Sequence, residues 1–304
     1  MSDTLDRSLW RQATATGAAL SAYLSPTLRH YESETGLSGW TWFMLLRVYS
    51  FAPDPVTIDD FRHYGPYSGA ARFRPHLTEG VEEGYLQEDG GVYRLTEDGQ
   101  SAVVQFVADL RAVMVAVDPL SPEAGERLAD LLDRLVQASR EMPPPDSIKT
   151  IELSYKLMPD RIPLLPFSEQ AISCLAAYRD DTHVVAWQPS GLSGPALESL
   201  TLLWRGQTDS LNTLRKRLVR RAHPRQVYRD ALAELRGRGF IDGSDEALRV
   251  TEKGRTIRQQ VEDETDRMFF APWSCLDPDE KCVLSDLLTR LREGLQSEDH
   301  EPTF

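Results

Sequence analysis

The chain of 304 residues is 41% hydrophobic, 9% aromatic and 27% charged, a composition of folded globular proteins and a length for about two domains. Its 47 acidic residues outnumber its 34 lysines and arginines, and the formal charge of -13 excludes polyanion binding by the whole surface while allowing a local basic patch. No run approaches the ~18 apolar residues of a membrane helix, and Met1 to Arg7 lacks the apolar core of a signal peptide. Cys174, Cys275 and Cys282 form no C-x-x-C pair, and the six histidines show no metal-ligand spacing. A cytoplasmic protein without membrane association, metal or cofactor is expected.

In chain order, apolar periodicity predicts a first helix over about Leu9–Leu24. Gly36-Leu37-Ser38-Gly39 then starts a second helix, with Trp42, Phe43, Leu45, Leu46 and Tyr49 at helical spacing. Ser38 is not in G-x-S-x-G and has no base beside it, so a nucleophile is not expected there. Two short helices follow. Tyr85-Leu86 and Val92-Tyr93-Arg94-Leu95 flank Asp89-Gly90-Gly91, which reads as a hairpin. A closing helix (Ser101–Val117) and a leucine-rich segment (Leu128–Leu135) lead to Met142-Pro143-Pro144-Pro145, where proline stops a helix and stiffens the connection. The boundary is placed there, giving domains 1–145 and 146–304.

The second part repeats the first at an offset of 155 residues. Gly191-Leu192-Ser193-Gly194 repeats the turn, and Leu20, Tyr23, Leu77, Gly84, Arg94, Thr96, Glu97 and Gly99 meet Leu175, Tyr178, Leu232, Gly239, Arg249, Thr251, Glu252 and Gly254. After one inserted residue, Leu120-Ser121-Pro122 meets Leu276-Asp277-Pro278. The expected elements are a helix over Phe167–Tyr178 and a hairpin in which Phe240-Ile241 and Ala247–Val250 flank Asp242-Gly243-Ser244-Asp245. A closing helix (Thr256–Phe270) and a leucine-rich end (Leu284–Leu291) complete this half, and a polar tail from Ser297 onward is expected to fray.

Helix, helix, helix, hairpin, helix is the order of a winged helix-turn-helix. Leu232-x-x-Leu235-x-x-x-Gly239-Phe240-Ile241, followed by Leu248-Arg249-Val250-Thr251-Glu252-Lys253-Gly254, resembles the MarR-type winged-helix transcriptional regulators. So do Gly84-Tyr85-Leu86 and Tyr93-Arg94-Leu95-Thr96-Glu97-Asp98-Gly99. The resemblance implies a mainly α fold with small β-hairpin wings (α+β), present as two fused copies. Members of that family are usually homodimers with interlocked terminal helices, so it also implies an intramolecular pseudo-dimer, either monomeric or paired further as a homodimer. Two independent domains on a linker are the alternative. The resemblance implies double-stranded DNA as partner and a small-molecule effector in the crevice between the terminal helices and the winged domain. Trp10, Tyr23, Trp40, Trp42 and Phe43 are the aromatic candidates for lining that crevice; Tyr31, Phe269, Phe270 and Trp273 add to them, with a core role as the alternative for all.

DNA recognition needs exposed cations for phosphates and polar side chains aimed at base edges. Between Arg205 and Arg238 ten basic residues face three acidic ones, a local charge of +7. Tyr228, Leu232 and Leu235 share the predicted core face of the recognition helix, which leaves Arg225, Gln226 and Arg229 to read bases. Arg215, Arg217, Arg220 and Arg221 precede it and suit phosphates. A solvated basic face without DNA is the alternative.

The matching window of the first half, Ser50 to Glu83, has Arg62, Arg72 and Arg74 against six acids. Pro75 falls at the position of Asp230 and shortens or kinks that recognition helix, and Gly80 replaces Leu235. Neither wing tip carries Asp-x-Arg, so two equal half-sites are not expected. The rival is a winged helix that binds a protein or a small molecule instead of DNA. With no Gly-rich phosphate loop, placed nucleophile or metal cluster, an enzyme is not expected.

Overall fold

A computed structural model describes residues 2–297; the tail expected to fray lies, from residue 298, outside the described residues. In the first half, α1 (Ser2–Thr35) runs beyond the predicted Leu9–Leu24 in both directions. Its interior Pro26 removes one backbone donor, but the carbonyl that loses it belongs to Ala22, which is exposed and can turn to water. Gly36, at φ 73°, ends α1. The Ser38 hydroxyl then accepts from the Thr41 amide to cap α2 (Gly39–Phe51).

A short strand β1 (Val56–Thr57) leads into α3 (Ile58–Tyr64), where Thr57 and Asp60 form a capping box. After a 3-10 turn (Ala70–Arg72) comes α4 (Arg74–Glu82). Strands β2 (Leu86–Asp89) and β3 (Val92–Leu95) form the predicted hairpin, closed by Gly90 and Gly91 in the left-handed region; β1 adds an edge, giving the order β1-β3-β2. The half ends with α5 (Glu97–Ala116) and α6 (Pro122–Glu141). The closing helix starts four residues earlier than expected because Thr96 caps it.

The second half opens with α7 (Thr150–Tyr155), which has no forerunner in the sequence pattern; it forms because the buried Asp181 carboxylate accepts the amides of Thr150 and Ile151 at 2.7 and 3.1 Å. Then follow α8 (Leu164–Trp187), α9 (Gly194–Trp204), α10 (Leu211–Arg217), a 3-10 turn (Val219–Arg221) and α11 (Arg225–Gly237). Strands β4 (Ile241–Asp242) and β5 (Arg249–Val250) make the second wing, before α12 (Glu252–Phe270), a 3-10 turn (Ala271–Cys275) and α13 (Pro278–Gln296). This wing is shorter than the expected Ala247–Val250 strand. Its backbone bonds run sideways instead: Leu211 N–H donates to Asp245, and Leu248 N–H to Asp209.

Three apolar clusters hold the chain together. One lies under the first wing (Trp42, Leu45, Leu77, Phe106), and one under the second (Leu197, Leu214, Leu232, Leu235). The central one mixes both halves: Leu9, Leu20, Leu132 and Leu135 pack with Leu175, Tyr178, Phe269 and Leu288. Accordingly α1 lies along α13, and α6 along α8, each pair taking one helix from either half. Each fully buried leucine there contributes about 1.5–3 kcal/mol, so separating the halves would expose a core, not a polar interface.

Candidate nucleic-acid interface

Ser210 and Thr213 form a capping box that starts α10, and a tight turn through Leu218 and Ala222 reverses the chain into α11. The turn is fixed from beneath, where the buried Tyr228 hydroxyl donates to the Leu218 carbonyl at 3.1 Å. On α11, Tyr228, Ala231, Leu232 and Leu235 are buried, while Arg225, Gln226, Arg229 and Asp230 are exposed on the opposite face. The predicted division of this helix between core and solvent is therefore present.

Ion pairing separates the basic residues into two groups. Arg236 pairs with Asp245 at 2.7 Å, and Arg238 with Glu234 at 3.8 Å. Arg221 turns inward: its Nε donates to Glu198 on α9 at 2.8 Å, and its guanidinium lies over the Tyr67 ring. The sequence pattern assigns Arg221 to phosphate, but in the fold its charge is already engaged. Among the described residues no ion pair is made by Arg215, Lys216, Arg217, Arg220, Arg225 or Arg229, the residues along α10, the turn and the start of α11. Gln226 spends one amide hydrogen on Asp230 at 2.7 Å.

The first half departs from this pattern as expected at Pro75. Helix α4 begins at Arg74 with Pro75 in its first turn, so it has 9 residues against 13 in α11. Gly80 is buried, and Leu86 and Leu45 occupy the space where a side chain would go. Two of the acids that read as surface charge have another role. Glu79 accepts from the amide and hydroxyl of Ser38, and Glu234 does the same for Ser193, at 3.1 and 2.7 Å in the latter.

The turns of the two halves touch, an arrangement that no local pattern announces. Gly69 N–H donates to the Arg221 carbonyl at 2.8 Å, and an Arg72 guanidinium N–H donates to the Arg220 carbonyl at 2.9 Å. His223 Nε2 lies 3.0 Å from the Tyr67 carbonyl. Glycine permits this approach: a Cβ on Gly69 would sit 2.9 Å from the Ala222 carbonyl oxygen, and one on Gly194 2.3 Å from that of Pro66.

Two crevices lie between the long helices and the winged units. The first, about 560 Å³, is bounded by Leu24, Leu28, Phe43 and Leu110, with Arg47, Arg111 and Glu169 among them. The second, about 370 Å³, is lined by Trp10 and Tyr67 together with the charged or ionisable Arg179, His183, Arg258 and Glu262. Asp180 and Ala176 of α8 border both. Asp180 stays exposed to solvent at the crevice mouths, yet the surrounding walls strip water from its carboxyl and, with Asp181 beside it, push it up to about 6; burial, with Arg258 and Arg179 nearby, pushes His183 down to about 4. Arg258, 2% exposed, donates to Thr201 and Glu262.

The aromatic candidates scatter. Phe43 lines the first crevice and Trp10 the second. Trp42 is core, stacked on Phe106, and Trp40 lies exposed beneath Arg72; Tyr23 is half-buried on α1 and lines neither crevice. Tyr31 also joins the first wing's aromatic cluster and donates to Asp109, and Phe269, Phe270 and Trp273 pack on one another.

Among the described residues no helix is long and apolar enough to cross a membrane. No curated protein and no solved structure matches the chain. A family model described as a helix-turn-helix family matches residues 168–302, the span from α8 through α13, and the second half accordingly carries a helix-turn-helix domain.

Proposed function

We propose that the protein is a DNA-binding transcriptional regulator built as two fused MarR-like winged-helix copies, with the second copy making most of the DNA contacts. The observation that carries this reading is the charge distribution on α10, the turn and α11. Arg221, Arg236 and Arg238 are neutralised by neighbouring carboxylates, whereas Lys216, Arg217, Arg220, Arg225 and Arg229 are exposed and without ion pairs among the described residues. Leaving guanidinium groups unpaired in a chain of charge -13 suits an anionic partner.

The mechanism has two parts. Arg215, Arg217 and Arg220 anchor phosphates, an interaction that fixes register without sequence information. Arg225, Gln226 and Arg229, at the start of α11, read base edges in the major groove. Reciprocal packing of α1 on α13 and α6 on α8 supports reading the two copies, divided near residue 145, as an intramolecular pseudo-dimer. The crevices flanking α8 supply room for a small-molecule effector. Double-stranded DNA is thus the main partner, in the cytoplasm, and no enzymatic step is assigned.

The test is a gel-shift series over salt concentration with mixed genomic fragments. Replacing Arg225 and Arg229 together by alanine should weaken binding at least tenfold and relax sequence preference, at about 1–3 kcal/mol per bidentate contact. Unchanged affinity in that double variant would overturn the assignment. Absence of duplex binding, with co-purification of a defined protein partner, would favour a winged helix that no longer reads DNA.

A further inference from the structure

We propose that the turn of the first half is a built part of the DNA-contacting surface of the second, supplying Arg72 and Arg74 as phosphate ligands across the seam between the halves. This rests on the reading that α10 and α11 bind DNA.

By composition the first half's window is acidic, but its cations are not spread evenly over it. Arg72 lies on the second half's turn, bonded to the Arg220 carbonyl, and Arg74 follows at the start of α4, exposed and without an ion pair among the described residues. The strongest charges acting on Arg72 are those of Arg221, Glu198 and Arg220, and Glu198 is already paired with Arg221. The seam therefore gathers positive charge from both halves, and the carboxylate that acts on Arg72, Glu198, is already engaged by Arg221. Such crowding costs energy unless an anion shares the site.

The place is suited to phosphate. In a helix-turn-helix complex the beginning of the recognition helix enters the major groove and the preceding helix crosses the backbone, so groups beside the turn meet the groove wall. The first half's turn sits on that spot, held by the Gly69–Arg221 and His223–Tyr67 contacts. Close approach depends on Gly69 and Gly194, where a Cβ would strike a carbonyl oxygen of the opposite half. The first half thus contributes charge at the seam, while its shortened α4 reads no bases.

The experiment is fluorescence anisotropy of the full chain against a labelled mixed-sequence duplex over a range of salt. Arg72→Gln retains an amide donor for the Arg220 carbonyl and removes only the charge; Arg74→Gln changes an exposed side chain. Removal of each phosphate ligand should make the plot of log affinity against log salt shallower by about 0.9, so by nearly two in the double variant, with sequence preference unchanged. A slope in the double variant equal to that of the wild type, alongside a weakened Arg225→Ala/Arg229→Ala control, would overturn the seam and leave the second half's role intact. A wild-type chain with no affinity for the duplex would overturn the underlying reading, and the seam with it.

Discussion

The ammonium of Lys281 lies 2.7 Å from a carboxylate oxygen of Asp6, with both side chains at least nine-tenths buried. The pair ties α13 to α1, one helix from each half. Removing one member of a buried ion pair costs about 3–5 kcal/mol, because the other charge stays in a low-dielectric site, whereas replacing both by apolar groups is often neutral. Asp6→Ala should therefore lower the urea midpoint severely, and Asp6→Leu with Lys281→Met should recover most of it. Equal losses in the two would show that the pair's charge is not what matters.

The glycine at the root of each wing gives a second prediction. A Cβ on Gly254 would lie 2.0 Å from the Phe240 carbonyl oxygen, which accepts the Thr251 amide; Gly99 stands in the same relation to Tyr85. Since the obstacle is backbone, Gly254→Ala should cost about 1–3 kcal/mol through displacement of the wing. Gly237, at the end of α11, has open space around its Cβ direction. Gly237→Ala should be neutral or stabilising by about 0.5–1 kcal/mol. Thermal unfolding of the two variants checks the contrast.

What is legible in the sequence follows from the range of the interactions involved. Helical spacing of Tyr228, Leu232 and Leu235 and the glycine turns are local, and they place the helices and wings; the Thr96 and Thr251 caps are local too, but apolar periodicity begins only after them, so both closing helices start four residues before the expected Ser101 and Thr256. Arg221 looks like its neighbours because its partner, Glu198, lies 23 residues away on another helix. Glu79 and Glu234 read as surface charge because their bonds to Ser38 and Ser193 span 41 residues. Trp42 and Trp40 differ by two residues on one helix, a rotation that sends one ring into the core and the other toward the seam. The contact between the two turns depends on how the halves sit together, and no window of sequence records it.

Asp180 and His183, one helical turn apart on α8, should give opposite pH dependences. The Asp180 carboxyl is raised from 3.8 to about 6, so its contribution to stability is full below pH 3.8 and is lost as pH rises through about 6. His183 is lowered from 6.5 to about 4, so its contribution is full above pH 6.5 and is lost as pH falls through about 4. The two slopes oppose each other between about pH 4 and 6. His183→Gln should therefore leave a protein that gains stability on acidification in this window, and Asp180→Asn one that loses it. Denaturation midpoints measured across the window would decide, and parallel curves for the two variants would contradict the assignment.

Ala176 offers a way to probe the crevices without disturbing the core, because it is exposed and borders both cavities. An indole there fills space that the fold leaves open, so Ala176→Trp should unfold at nearly the wild-type temperature. An amphiphilic anion such as anilinonaphthalene sulfonate has an apolar body for the side of the first crevice formed by Leu24, Leu28 and Leu110 and a charge for Arg47 or Arg111. Its fluorescence should rise with the wild-type protein and fall at least tenfold in apparent affinity with Ala176→Trp. Arg111→Leu should weaken the anion while sparing a neutral probe of the same shape, since only the anion draws on the guanidinium charge. Equal binding of the anion to all three proteins would place the dye outside the crevice and remove the support it gives to an effector site.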